Sequence, residues 1–145
     1  MLKEGKQMYK SSTKIRVRYA ETDQMGVVHH SNYYVYFEAA REDFIAGADI
    51  RYKDMEDYGI MMPLVETQCR YIEGAKYDDV LIVETTLEKL SPIKVILQYK
   101  VIREKDNKLI ARGKTIQAFV DKATFKIINL KENNLKLYEG LAKLV

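Results

Sequence analysis

Residues 31–49, SNYYVYFEAAREDFIAGAD, constrain the fold more than any other part of the chain. Tyr33, Phe37, Ala40, Phe44 and Ala48 recur at steps of four, three, four and four, the spacing of one helix face. Ser31 or Asn32 can cap the helix, because a short side-chain oxygen satisfies the free N–H groups of a first turn. Glu38, Arg41, Glu42 and Asp43 are the only charges before Asp49, and the first three share one narrow face. Most of the circumference is therefore apolar. About seventeen such residues make a helix roughly 25 Å long that other structure must enclose on most sides.

The rest of the chain supplies strands to do so. In residues 13–19, Ile15, Val17 and Tyr19 alternate with Lys14, Arg16 and Arg18, the period of a half-buried strand. Val65, Thr67, Cys69 and Tyr71 repeat that pattern after Pro63. Residues 80–90, 93–103 and 109–120 are rich in Val, Ile, Thr and Leu and read as three more strands. They are separated by short reversals at 91–94 and 104–108, which make them antiparallel neighbours. Residues 51–59 read as a short second helix ending at Gly59. Residues 131–145 read as a terminal helix with Leu137, Leu141 and Leu144 on one side. The expectation is α+β: one antiparallel sheet with one long helix on its face. A single helix leaves the other sheet face uncovered, so a partner subunit pairing edge to edge is expected as well.

With 145 residues the chain is expected to be one domain, 1–145, whose first dozen residues are loosely held. The charge balance, 24 basic against 21 acidic residues, is nearly even and has no basic stripe. Nucleic-acid binding is not expected, while a small anionic ligand suits the mild positive charge. Cys69 is the sole cysteine, which favours a reducing, cytoplasmic setting. The first residues carry no secretory signal, and no apolar run approaches a membrane span.

Chemistry-bearing residues concentrate in 19–41, YAETDQMGVVHHSNYYVYFEAAR. Asp23 lies between a strand and a turn at Met25 and Gly26. His29 and His30 follow, just before the helix. Helix starts carry unpaired N–H groups and a partial positive charge that polarise a carbonyl, and a carboxylate beside them can act as base or nucleophile. Asp23 as a plain turn former competes with that reading. Glu21 reads as a solvated charge near the strand end. Tyr33, Tyr34 and Tyr36 read as core and interface more than as a stacking platform. No metal site is expected, because no histidine spacing supports one, and Cys69 reads as an inert mid-strand thiol.

Tyr19, Asp23, Gly26, Val27, Val28, His30, Asn32, Tyr33, Tyr36, Phe37, Glu38, Ala40 and Arg41 together resemble the motif of hotdog-fold acyl-CoA thioesterases. The type is the 4-hydroxybenzoyl-CoA thioesterase family, and in particular its YbgC-like branch. Residues 69–85, CRYIEGAKYDDVLIVET, resemble that family's strand, turn and strand. Relatives often read Pro-Ala where this chain has Gly74 and Ala75, before Lys76.

The resemblance, over roughly residues 12–130, implies a hotdog fold: a curved five-stranded antiparallel sheet wrapped around one long helix. It implies homodimers or homotetramers with active sites at subunit junctions. It further implies hydrolysis of acyl-CoA to free acid and CoA, without a cofactor. Asp23 would be base or nucleophile, a backbone N–H near His30 would polarise the carbonyl, and His30 would hydrogen-bond water, carbonyl or Asp23. Tyr19 would orient the carboxylate and Tyr33 would contact substrate. Lys76 and Lys94, charged and in turns, are candidates for the CoA phosphates. The competing reading is a non-catalytic acyl-CoA or acyl-carrier-protein binding module on the same fold.

Overall fold

Period-two segments with one apolar face pair into sheets, and here five do so. The computed structural model describes residues 9–47, 50 and 52–145. Strands β1 (Lys10–Arg16), β3 (Leu64–Tyr71), β4 (Val80–Leu90), β5 (Lys94–Arg103) and β6 (Lys108–Ala118) form one antiparallel sheet in the order β1-β4-β5-β6-β3. The short strands β2 (Ile60–Met61) and β7 (Val120–Asp121) pair separately. Helices are α1 (Asn32–Ala46), α2 (Tyr52–Asp57), α3 (Leu130–Asn133) and α4 (Leu135–Ala142).

Helix α1 lies on one sheet face and buries Tyr33, Tyr36, Phe37, Ala40, Phe44 and Ile45. Phe37 stacks on Tyr99 of β5, ring centroids 4.5 Å apart. Gly113 of β6 makes room for this pair, since a Cβ there would sit 2.3 Å from the Phe37 ring. The helix and five strands match the expected hotdog architecture. Arg41 departs from the expected charged face. It is buried, and its guanidinium donates to the Tyr99 hydroxyl at 3.3 Å, which in turn bonds Thr115. A long cation at a helix–sheet seam is tolerated when its head finds a polar partner there. Ala48 and Asp49, the end of the expected stripe, lie outside the described residues.

Boundaries shift for local reasons. The first strand starts at Lys10 and ends at Arg16, short of Tyr19. Residues Tyr19–Glu21 instead close into a 3-10 turn, because the Glu21 carboxylate accepts from the Arg18 N–H at 2.8 Å. Of the first dozen residues, 1–8 lie outside the described residues, and 10–12 are paired with β4. The expected strand 109–120 divides at fully buried Phe119 into β6 and β7. The expected terminal helix divides too. Asn129 and Asn134 each accept from a backbone N–H three residues on, so two N-caps start two helices. Leu137, Leu141 and Leu144 are buried as expected. Among the described residues, no helix is long and apolar enough to cross a membrane.

Candidate active site

The site begins with a tight loop. The Asp23 N–H donates to the Val27 carbonyl at 2.8 Å, and the Gly26 N–H to the Asp23 carbonyl at 2.9 Å. Gly26 adopts φ +82°, the left-handed region glycine tolerates without a Cβ penalty. The Asp23 carboxylate takes part through one oxygen only. Its Oδ1 accepts from the N–H groups of Met25 (2.9 Å) and Val27 (3.4 Å). Among the described residues, Oδ2 has no hydrogen-bond partner. Asp23 is thus both turn former and half-exposed carboxylate with an oxygen to spare.

Asp23 lines a cavity of about 340 Å³ with Met25, Val28, His30, Tyr33, Tyr71 and Gly74. The start of α1 lies on this cavity, but its first N–H groups are already engaged. Those of Asn32, Tyr33 and Tyr34 donate to the carbonyls of His29, His30 and Ser31. The His30 N–H, one residue before the N-cap Ser31, has no acceptor among the described residues. It is the one N–H between His29 and Tyr34 left without a partner there. The His30 ring is exposed. It stacks on His29 at 4.1 Å and meets Tyr71 edge-on at 6.4 Å, with no hydrogen bond to Asp23.

Glu21 corrects the sequence reading. It is buried, not solvated. Its carboxylate accepts from the Arg18 backbone and guanidinium and from the Tyr36 hydroxyl at 3.0 Å. Its carbonyl accepts from the His29 N–H (2.8 Å) and the Asn32 side chain (2.9 Å). This one residue ties the 3-10 turn, the His29–His30 segment and α1 together. Burial and the Glu21 carboxylate push the Tyr36 phenol well above its ordinary value, so it stays a donor.

The remaining candidates scatter. Tyr33 is buried against Tyr36 and Tyr71 and lines the cavity, with its phenol pushed up to about 12, chiefly by burial. Tyr71 lines the cavity as well, and its hydroxyl donates to the His30 carbonyl at 3.3 Å. Sequence reasoning passed over it as an ordinary strand residue. Tyr19 is 76% exposed and packs edge-on against Tyr77 rather than turning to the Asp23 carboxylate. Lys76 is exposed, one residue past Ala75, whose carbonyl accepts from the Val28 N–H at the loop. Lys94 lies opposite Ala118, whereas Tyr71 aligns through Ala111 with Val101. Within one chain Lys94 is therefore ~23 Å along the strands from the site, at about 3.3 Å per residue.

Comparison with known proteins places this arrangement. Residues 17–136 match the family described as Thioesterase-like superfamily. A Bacillus subtilis (strain 168) protein provisionally named an acyl-CoA thioesterase, YneP, is 34% identical over 125 residues, 86% of this chain and 90% of that one. The crystal structure of DHNA-CoA thioesterase from Staphylococcus aureus superposes with a TM-score of 0.88 at 35% identity, covering 93% of this chain and 90% of that one. The hypothetical protein TT1821 from Thermus thermophilus superposes with a TM-score of 0.84 at 39% identity, covering 94% and 98%. With a shared fold, identity above a third and a match over most of its length, the chain belongs to the thioesterase-like superfamily of hotdog-fold thioester hydrolases.

Proposed function

We propose that the protein hydrolyses acyl-CoA thioesters to a free acid and CoA. The observation that carries this reading is the Asp23 carboxylate, with one oxygen held by its turn and the other unpartnered among the described residues, at a residue that lines one cavity with His30. A fixed carboxylate can deprotonate a water or attack the thioester carbonyl directly. The His30 N–H then offers a donor to the oxygen on which negative charge develops. The His30 ring serves as a secondary hydrogen-bonding group. Tyr33 and Tyr71 form an aromatic wall for the acyl end. The similarity to enzymes named for acyl-CoA and DHNA-CoA supports a CoA thioester as substrate.

The active unit is a homodimer or a pair of dimers, in the cytoplasm. Strand β3 is a sheet edge with Leu64, Val65 and Tyr71 exposed. Pairing antiparallel to its own copy would set the Leu64 end of one subunit beside the Tyr71 end of the other. In that arrangement Lys94 of one chain approaches the site of its partner and joins Lys76 at the CoA phosphates. A non-catalytic acyl-CoA or carrier-protein binder is the competing reading, and it gives the unpartnered Asp23 oxygen no task.

Purified protein assayed on short, long and aromatic acyl-CoAs decides between them. We expect hydrolysis of at least one class, and a loss of about 10²–10⁴-fold in kcat for folded Asp23→Ala. Binding without turnover across the panel would favour the binder.

A further inference from the structure

We propose that Arg103, at the C-terminal end of β5, is a positioning residue that clamps residues 73–79 and through them holds the Asp23 loop in place; this rests on the hydrolytic reading of the site. Arg103 contacts neither the cavity nor Asp23. Its side chain is one-tenth exposed and nearly every donor is used. Nε donates to both Asp106 oxygens at 3.1 Å. Nη2 donates to Asp106 and to Glu73, each at 2.9 Å. Nη1 donates to the Gly74 carbonyl at 3.4 Å and lies 3.6 Å from Asp79. One guanidinium thus joins the β5–β6 turn to three residues of the segment before β4.

That segment is the outer wall of the site. Glu73 and Gly74 line the cavity with Asp23. Gly74 is pressed against Val27, so that a Cβ there would lie 2.6 Å from Val27 Cγ1. The next residue's carbonyl, Ala75, accepts from the Val28 N–H at 2.8 Å. Val27 in turn closes the Asp23 loop through both its N–H and its carbonyl. The chain of contacts runs from guanidinium to Gly74, from Gly74 and Ala75 to Val27 and Val28, and from Val27 to the carboxylate. The Asp79 side chain, only 10% exposed, accepts from the Lys76 N–H at 2.9 Å and lies beside the clamp, with Lys105 farther off at 3.8 Å. A planar fork with five donors suits three carboxylates and a carbonyl at once, whereas a lysine ammonium is a point charge.

The test compares Arg103→Lys and Gly74→Ala with wild type on a hydrolysed acyl-CoA, together with amide hydrogen exchange at Val27 and Val28. We expect kcat of Arg103→Lys to fall roughly ten- to a hundredfold, with a smaller change in KM, as a displaced catalytic group requires. Exchange at Val27 and Val28 should quicken. Gly74→Ala should give the same kinetic split, and adding Val27→Ala should restore much of the kcat by removing the methyl groups it strikes. If Arg103→Lys does not fold, Asp106→Asn, which removes the carboxylate that holds the guanidinium at Nε and Nη2, takes its place in the same kinetic and exchange measurements. Unchanged exchange at Val27 and Val28 overturns the inference, as does full kcat in both variants of a protein whose Asp23→Ala form is dead. A wild type inert toward every thioester, or an active Asp23→Ala, overturns the reading of the site instead, and the exchange rates still judge the clamp.

Discussion

Two carboxylates two residues apart have opposite tasks. Asp23 lines the cavity and keeps one oxygen without a partner among the described residues, while Glu21 is buried and hydrogen-bonded. The motif marked Asp23 from sequence, because turn, carboxylate and helix start lie close together in the chain. Glu21 was misread because its burial comes from Tyr36, fifteen residues on, and from Asn32, eleven on. Local pattern carries no trace of either contact. Glu21→Ala should destabilise the fold by about 1–3 kcal/mol, the cost of stranding a buried donor such as the Tyr36 hydroxyl. Glu21→Gln, which keeps an accepting oxygen, should lose less. Urea denaturation of the two variants measures the difference, and equal loss would mean the carboxylate's charge matters more than its acceptor geometry. For His30 the structure separates main chain from ring. His30→Ala retains the free N–H and should keep far more turnover than Asp23→Ala, with His30→Tyr keeping more than Ala. Equal inactivity of His30→Ala and Asp23→Ala would move the role of base to the imidazole.

Helix α1 was legible because its repeat is long and its face nearly continuous. The five sheet strands were legible from their alternation, and β4 (Val80–Leu90) matches its expected limits. What sequence could not give was which side chains meet across elements. In the sequence Arg41 shares one narrow charged face with Glu38 and Glu42, yet it reaches Tyr99 between helix and sheet. A glycine inside a strand ordinarily weakens it, yet Gly113 stands mid-strand in β6. Its role is to leave the volume that Phe37 fills. Gly113→Ala should therefore overpack this seam and cost about 1–3 kcal/mol. Its φ lies outside the left-handed region, so the cost is steric. Pairing Gly113→Ala with Phe37→Leu, which frees part of that space, should recover some of the loss in thermal unfolding. Additive losses in the double variant would show that the two side chains do not compete for one volume.

At the scale of the molecule, one chain holds an incomplete set of the residues expected to meet CoA. Asp23, His30 and Tyr33 converge, whereas Lys94 stands at the opposite end of the sheet. Sequence could nominate Lys94 by charge and turn position but could not say from which subunit it would act. The proposed antiparallel pairing of β3 edges would reconcile the two, because it would bring opposite strand ends of two copies together. Light scattering should then give a mass of at least two chains. Co-expression of Asp23→Ala with Lys94→Ala separates action in trans from action within one chain. In a random mixture half the dimers are mixed. If Lys94 serves the partner's site, each mixed dimer has one site with both residues intact and one with neither. Activity at low substrate should then recover to about a quarter of wild type. If Lys94 acts within its own chain, every site keeps one lesion and no recovery follows. Recovery absent from a confirmed mixed dimer would remove Lys94 from the partner's site and leave Lys76 as the remaining candidate for the CoA phosphates.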